Sequence, residues 1–138
     1  MINKKLFIYT DGASRGNPGP ASLGFVFTNK DEEILLRKAK FLGNKTNNQA
    51  EYLAVLNAIK EVKKRYKKPI TLYSDSNLLV NQLNDEWNVK DSELKKYYKK
   101  IKEEIKDLEI EIKHVPRDNK FTEIADSLCN KILDQENH

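Results

Sequence analysis

Apolar and polar positions along the chain change period several times, and each change marks an element. Leu6 to Tyr9 is a short apolar run that ends in Asp11 and passes into "GASRGNPGP". The run reads as a buried strand over about Lys5–Asp11, and the Gly, Pro and Asn after it predict a tight turn. "SLGFVFTN" predicts a second strand over about Ser22–Asn29, and "EILLRKAKFL" a third over about Glu33–Leu42. "NKDE" between them is a turn, so these strands should form antiparallel hairpins. The period then becomes helical. Tyr52, Val55, Ile59 and Val62 recur at three- and four-residue steps, and Thr46 with Gln49 has the spacing of a capping box. Pro69 ends that segment, and "ITLYSD" is a strand that again ends in an aspartate, Asp75. "SNLLVNQL" is a short helix, and Asp91 or Ser92 caps a lysine-rich helix reaching about Asp107. "LEIEIKHV" alternates as a half-buried strand, Pro116 breaks it, and Thr122 can cap a last helix.

The predicted order is βββαβααβα. Helical crossovers after the third and fourth strands require parallel pairs, whereas the hairpins are antiparallel. The expected fold is therefore α/β, a mixed five-stranded sheet with helices on both faces, formed by residues 1–138 as one domain.

Composition narrows the chemistry. No stretch is long or apolar enough to span a membrane, and no signal peptide is evident. One cysteine, Cys129, excludes an internal disulfide, so a reducing cytoplasmic setting is expected. Cys129 lies in the apolar pattern of Ile124, Leu128 and Ile132, which predicts packing, not nucleophilic chemistry. The 25 Lys and Arg against 21 Asp and Glu leave a net charge of +4. Lysines cluster with tyrosines in "KKRYKKP" (63–69) and "LKKYYKKIKEEIK" (94–106), either as solvated faces or as phosphate-binding surfaces. No apolar surface stripe is left over, so a monomer is expected.

Four acids stand at strand ends or early in helices: Asp11, Glu51, Asp75 and Asp126. Each has an ordinary explanation alone. Asp11 suits a turn, Glu51 a capping box with Asn48, and Asp126 the positive end of a helix dipole. Brought together they would repel, and such a cluster calls for a cation. Hard carboxylate oxygens without Cys or His suit Mg²⁺ or Mn²⁺.

"YTDGASRGNPGP", "TNNQAEYLAVLNAI", "LYSDSNLLVNQL" and "IADSLC" resemble the signature segments of type 1 ribonucleases H, over about Leu6–Leu133. The resemblance implies an endonuclease that cleaves the RNA strand of an RNA–DNA hybrid with two metal ions, leaving 5′-phosphate and 3′-hydroxyl ends. It makes Asp11, Glu51, Asp75 and Asp126 the metal-binding carboxylates. It assigns Asn17, Asn48 and Gln49 to the minor groove, where amides meet 2′-hydroxyls, and Thr46 to a DNA-strand phosphate. Two departures stand out. The loop after the last strand, "PRDNKF", has no histidine, so either Arg117 takes over product handling or that step is unassisted. His114 falls earlier, as an ordinary strand residue. The long basic protrusion of many members is reduced to "NDEWNVKDS", with Trp87 and Lys90 as candidate DNA contacts. Exonucleases of the same fold place a second acid two residues after the first, and here that position is Ala13. A non-catalytic hybrid-binding module would be expected to lack one of the acids, and all are present.

Overall fold

The structure is a computed structural model that describes residues 5–66 and 69–136. Lys67 and Lys68 of the first basic cluster therefore lie outside the described residues. Among the described residues the chain runs β1 (Leu6–Ser14), β2 (Gly19–Thr28), β3 (Ile34–Lys45), α1 (Asn47–Arg65), β4 (Ile70–Ser74), α2 (Asn77–Leu83), α3 (Ser92–Ile105), β5 (Ile110–His114) and α4 (Lys120–Gln135). The sheet order is β3-β2-β1-β4-β5. β1 pairs antiparallel with β2, β2 with β3, and the β1–β4 and β4–β5 pairs are parallel. The expected element order and mixed sheet are both present.

Several boundaries differ from the sequence reading. β1 does not stop at Asp11 but continues to Ser14, because Asp11–Ser14 keep their antiparallel partners Gly24–Ala21 on β2. The turn shrinks to residues 15–18, with a cis Asn17–Pro18 peptide. β3 runs on to Lys45 for the same reason, pairing with the start of β2. Helix α3 ends at Ile105, and β5 is limited to the five residues that pair with β4.

Capping accounts for the helix starts. Thr46 accepts from Gln49 N while the Gln49 side chain accepts from Thr46 N, so the expected capping box forms. Asp91, not Ser92, caps α3. Thr122 does not cap α4. Asn119 does, accepting from the main-chain N–H groups of Phe121 and Thr122, and this leaves Thr122 buried in the first turn.

The sheet has a core on each face. Leu6 and Ile8 of β1, Phe25 and Phe27 of β2, and Leu72 of β4 pack with α1, α2 and α3. The alternate positions Tyr9 and Val26 pack with Phe121 and Ala125 of α4. This is the period-2 alternation of strands buried on both sides. Cys129 is fully buried, as its apolar setting predicts.

Helix α4 crosses β2 closely at Gly24. A Cβ there would lie 2.6 Å from the Ala125 carbonyl oxygen and 3.2 Å from Cys129 Sγ. Backbone cannot yield by that much without moving the helix. Gly24→Ala is therefore expected to lower stability by roughly 1–3 kcal/mol, the usual cost of overpacking. Urea unfolding checks this, and an unchanged midpoint would contradict the contact.

Candidate active site

The site grows out of one register. β1 and β4 pair from Leu6–Ile70 to Tyr9–Tyr73. Continuing that register two places sets Asp11 opposite Asp75. Just below them, the rings of Tyr9 and Tyr73 stack at 4.9 Å, and Phe121 of α4 meets Tyr9 at 5.0 Å. Three aromatic rings thus hold together β1, β4 and the start of α4, the elements that carry Asp11, Asp75 and Asp126.

Glu51 arrives from the opposite face. Gly12 lets α1 lie directly on β1, since a Cβ at Gly12 would fall 2.4 Å from Ala50 C and Glu51 N. The Gly12 N–H donates to Glu51 Oε1 at 3.1 Å. Glu51 therefore turns into the site and does not close a capping box with Asn48. Sequence reading missed Gly12, whose only signal was its place directly after Asp11.

Carboxylate oxygens of Asp11, Glu51 and Asp75 lie within 4.8 Å of one another. Asp11 and Glu51 are each only 5% exposed. Asp126, on the exposed side of α4, joins them at the rim of a cleft also lined by Asn47, Arg117 and Glu123. Burial, then the Asp75 charge, then a hydrogen bond with Asp126 push the Asp11 carboxyl up to about 8, against a smaller lowering from the Gly12 N–H. Burial, then Asp11 and Asp75, hold Glu51 well above the usual carboxylate range. Arg117 Nε is 3.4 Å from Asp75 Oδ2, with the arginine side chain 91% exposed. The donors are hard oxygens with neither His nor Cys among them, a set that fits Mg²⁺ or Mn²⁺.

The other candidate residues lie around this cleft or apart from it. Asn17 Oδ1 accepts from Asn47 N, tying the β1–β2 turn to the start of α1. Asn48 is exposed beside it, and Gln49 spends its side-chain oxygen on the capping box. Trp87, 48% exposed, and Lys90 belong to a separate groove with Lys95, Tyr98 and Lys99. His114 is an exposed residue at the end of β5.

Residues 9–132 match the family described as Reverse transcriptase-like. The chain is 37% identical to ribonuclease HI of Halobacterium salinarum over 131 residues, 94% of this chain and 65% of that protein. The crystal structure of RNase H1 from Halobacterium salinarum NRC-1 superposes with a TM-score of 0.89 at 37% identity, covering 95% of this chain and 98% of the other. The chain belongs to the type 1 ribonuclease H family. LC11-RNase H1, solved in complex with an RNA/DNA hybrid, is a further neighbour of the family at 32% identity and a TM-score of 0.89, covering 96% of this chain and 99% of its own. The chain spans 65% of the archaeal sequence relative, just under two thirds, and 26% of the mycobacterial relatives that it matches.

The clustered acids make stability depend on pH in a stated direction. A carboxyl raised from 3.8 to about 8 binds its proton more tightly folded than unfolded. Stability of the metal-free protein therefore falls as pH rises from about 4 to about 8, by up to about 1.4 kcal/mol per pH unit for one proton, and levels off above. In Asp11→Asn the fall is shallower, and above pH 7 the variant is the more stable of the two. Urea unfolding of both proteins in chelator across that range checks this. A wild type more stable than Asp11→Asn at pH 8 would contradict the repulsion.

Proposed function

We propose that this ribonuclease H family member is an endonuclease that hydrolyses the RNA strand of RNA–DNA hybrids, releasing 5′-phosphate and 3′-hydroxyl ends. The observation that carries the reading is the meeting of Asp11, Glu51 and Asp75 within 4.8 Å in a cleft open to solvent. Carboxylates held this close, partly out of water, are costly unless a cation joins them. Asp11, Glu51, Asp75 and Asp126 would hold two Mg²⁺ ions, or Mn²⁺ in their place. Such ions, when bound, activate a water and stabilise the departing oxygen of a phosphodiester.

The remaining residues act on the substrate. Asn48 and Gln49 at the start of α1, with Asn17 in the adjoining turn, offer amides to successive 2′-hydroxyls, and this selects RNA over DNA. Thr46, already the cap of α1, stands at the positive end of that helix, where its hydroxyl and the helix dipole favour a DNA-strand phosphate. Trp87 and Lys90 grip the DNA strand farther along, in the groove with Lys95 and Lys99. Arg117, exposed yet within 3.4 Å of Asp75, takes the product-handling place of the loop histidine. We place this activity in the cytoplasm, in a monomer whose residues 1–138 form one domain.

Incubation with an RNA–DNA hybrid labelled on each strand, in Mg²⁺ and in chelator, tests the reading. Only the RNA strand is expected to be cut, and only with metal. Asp11→Asn should lose several orders of magnitude in rate while still binding the hybrid, and near-normal turnover by this variant would overturn the assignment. In a chimeric strand, cutting should stay within the ribonucleotide stretch, and a single ribonucleotide in DNA should be a poor substrate.

The Trp87 groove makes a separate claim. Each phosphate neutralised on duplex DNA adds roughly −0.9 to the log–log salt slope of binding. Lys90→Ala is expected to weaken hybrid binding modestly and flatten that slope by about one unit or less. Unchanged affinity and slope would make the groove a solubilising face.

A further inference from the structure

Three of the four acids are held in place by evident partners. Asp11 lies in a strand paired with β2, Glu51 accepts from Gly12 N, and Asp75 faces Arg117. Asp126 differs, because apart from its hydrogen bond with Asp11 it projects from the exposed side of a helix. An aspartate there is free to change rotamer unless something restrains it.

A further restraint lies one helical turn on. Asn130 Nδ2 is 3.3 Å from Asp126 Oδ2 and 3.1 Å from the Asp126 carbonyl oxygen. At the other end of the same amide, Arg15 Nη2 donates to Asn130 Oδ1 and to the Asn130 carbonyl oxygen, each at 3.4 Å. Arg15 is itself anchored by Asp134 Oδ1 at 2.8 Å. The amide thus has its donor end toward an anion and its acceptor end toward a cation. A flip would set oxygen against carboxylate and N–H against guanidinium, so only one orientation is stable.

We propose that Asn130 is a positioning residue that aims the Asp126 carboxylate into the cleft, and that Arg15, from the β1–β2 turn, fixes the direction of the Asn130 amide. The proposal rests on the metal-dependent reading of the cleft. It ties the turn that carries Asn17, and hence the start of α1 through Asn47, to the acid on α4. The side proposed to meet substrate and the side proposed to hold metal are then linked through the backbone of this turn, with hydrogen bonds at Asn17 and at Arg15.

Thermal melting of the full chain in chelator and across a Mg²⁺ titration tests this, with wild type, Asn130→Ala, Arg15→Ala, Asp126→Asn and the Asp126→Asn/Asn130→Ala pair. In chelator, Asn130→Ala should melt close to wild type, because alanine is the better helix former. Its Mg²⁺ midpoint should rise by roughly tenfold, the lower range for a residue that orients a ligand, and that of Arg15→Ala by less. In the Asp126→Asn background, Asn130→Ala should add nothing. The Mg²⁺ dependence of hybrid cleavage should shift by the same factor, with the KM for hybrid unchanged at saturating metal. A wild-type Mg²⁺ midpoint in Asn130→Ala, or an equal added loss in the Asp126→Asn background, would overturn the positioning role alone. A wild type that Mg²⁺ does not stabilise would overturn the metal reading and this role with it.

Discussion

The short parallel pairing of β1 with β4 governs the rest of the molecule. It sets two aspartates side by side at the point where the ladder between those strands ends, and the Tyr9–Tyr73–Phe121 stack locks them there. Folding must drive like charges together at that edge and take them partly out of water. The hydrophobic cores on the two faces of the sheet supply the free energy that offsets this. Binding capacity is therefore stored as local instability within an otherwise well-packed structure.

Close backbone approach is the second constraint, and it works on both faces. At Gly12 the first helix comes down on β1 from one side, and at Gly24 the last helix lies on β2 from the other. Each contact delivers an acid, Glu51 or Asp126, that the strands cannot provide. The sheet thus contributes two carboxylates and each helical layer one, so the cleft needs every layer in place.

How much of this was readable in the chain follows from the range of each interaction. Hydrophobic period and turn residues are local, and they yielded the nine elements in order. Strand ends are set by partners, and so "GAS" after Asp11, which reads as loop, is strand because Leu23, Ser22 and Ala21 pair with it. The cap of α4 turned on three residues, Asn119 against Thr122, and the local pattern admits both. Packing of Phe121 on Tyr9 decides for the earlier start. Asp11 and Asp75 stood out because two apolar strands each lead into an aspartate, and Glu51 and Asp126 because the family motifs carry them near helix starts. The N–H of Gly12 on Glu51 and the Arg15–Asn130 link did not, since their partners are 39 and 115 positions apart and no period announces them.

Cys129 has a practical bearing of its own. It is the only cysteine in the chain, it is fully buried beneath β2, and burial pushes its thiol far above the range where a thiolate forms at neutral pH. Maleimide reagents attack thiolates that they can reach, and this sulfur is neither ionised nor accessible. A cysteine introduced at an exposed site outside the groove, such as Glu103 on α3, would therefore take a fluorophore alone, with the native residue left in place. The protein is in effect already prepared for single-site labelling, and a fluorophore can be placed on its surface without first rebuilding the core.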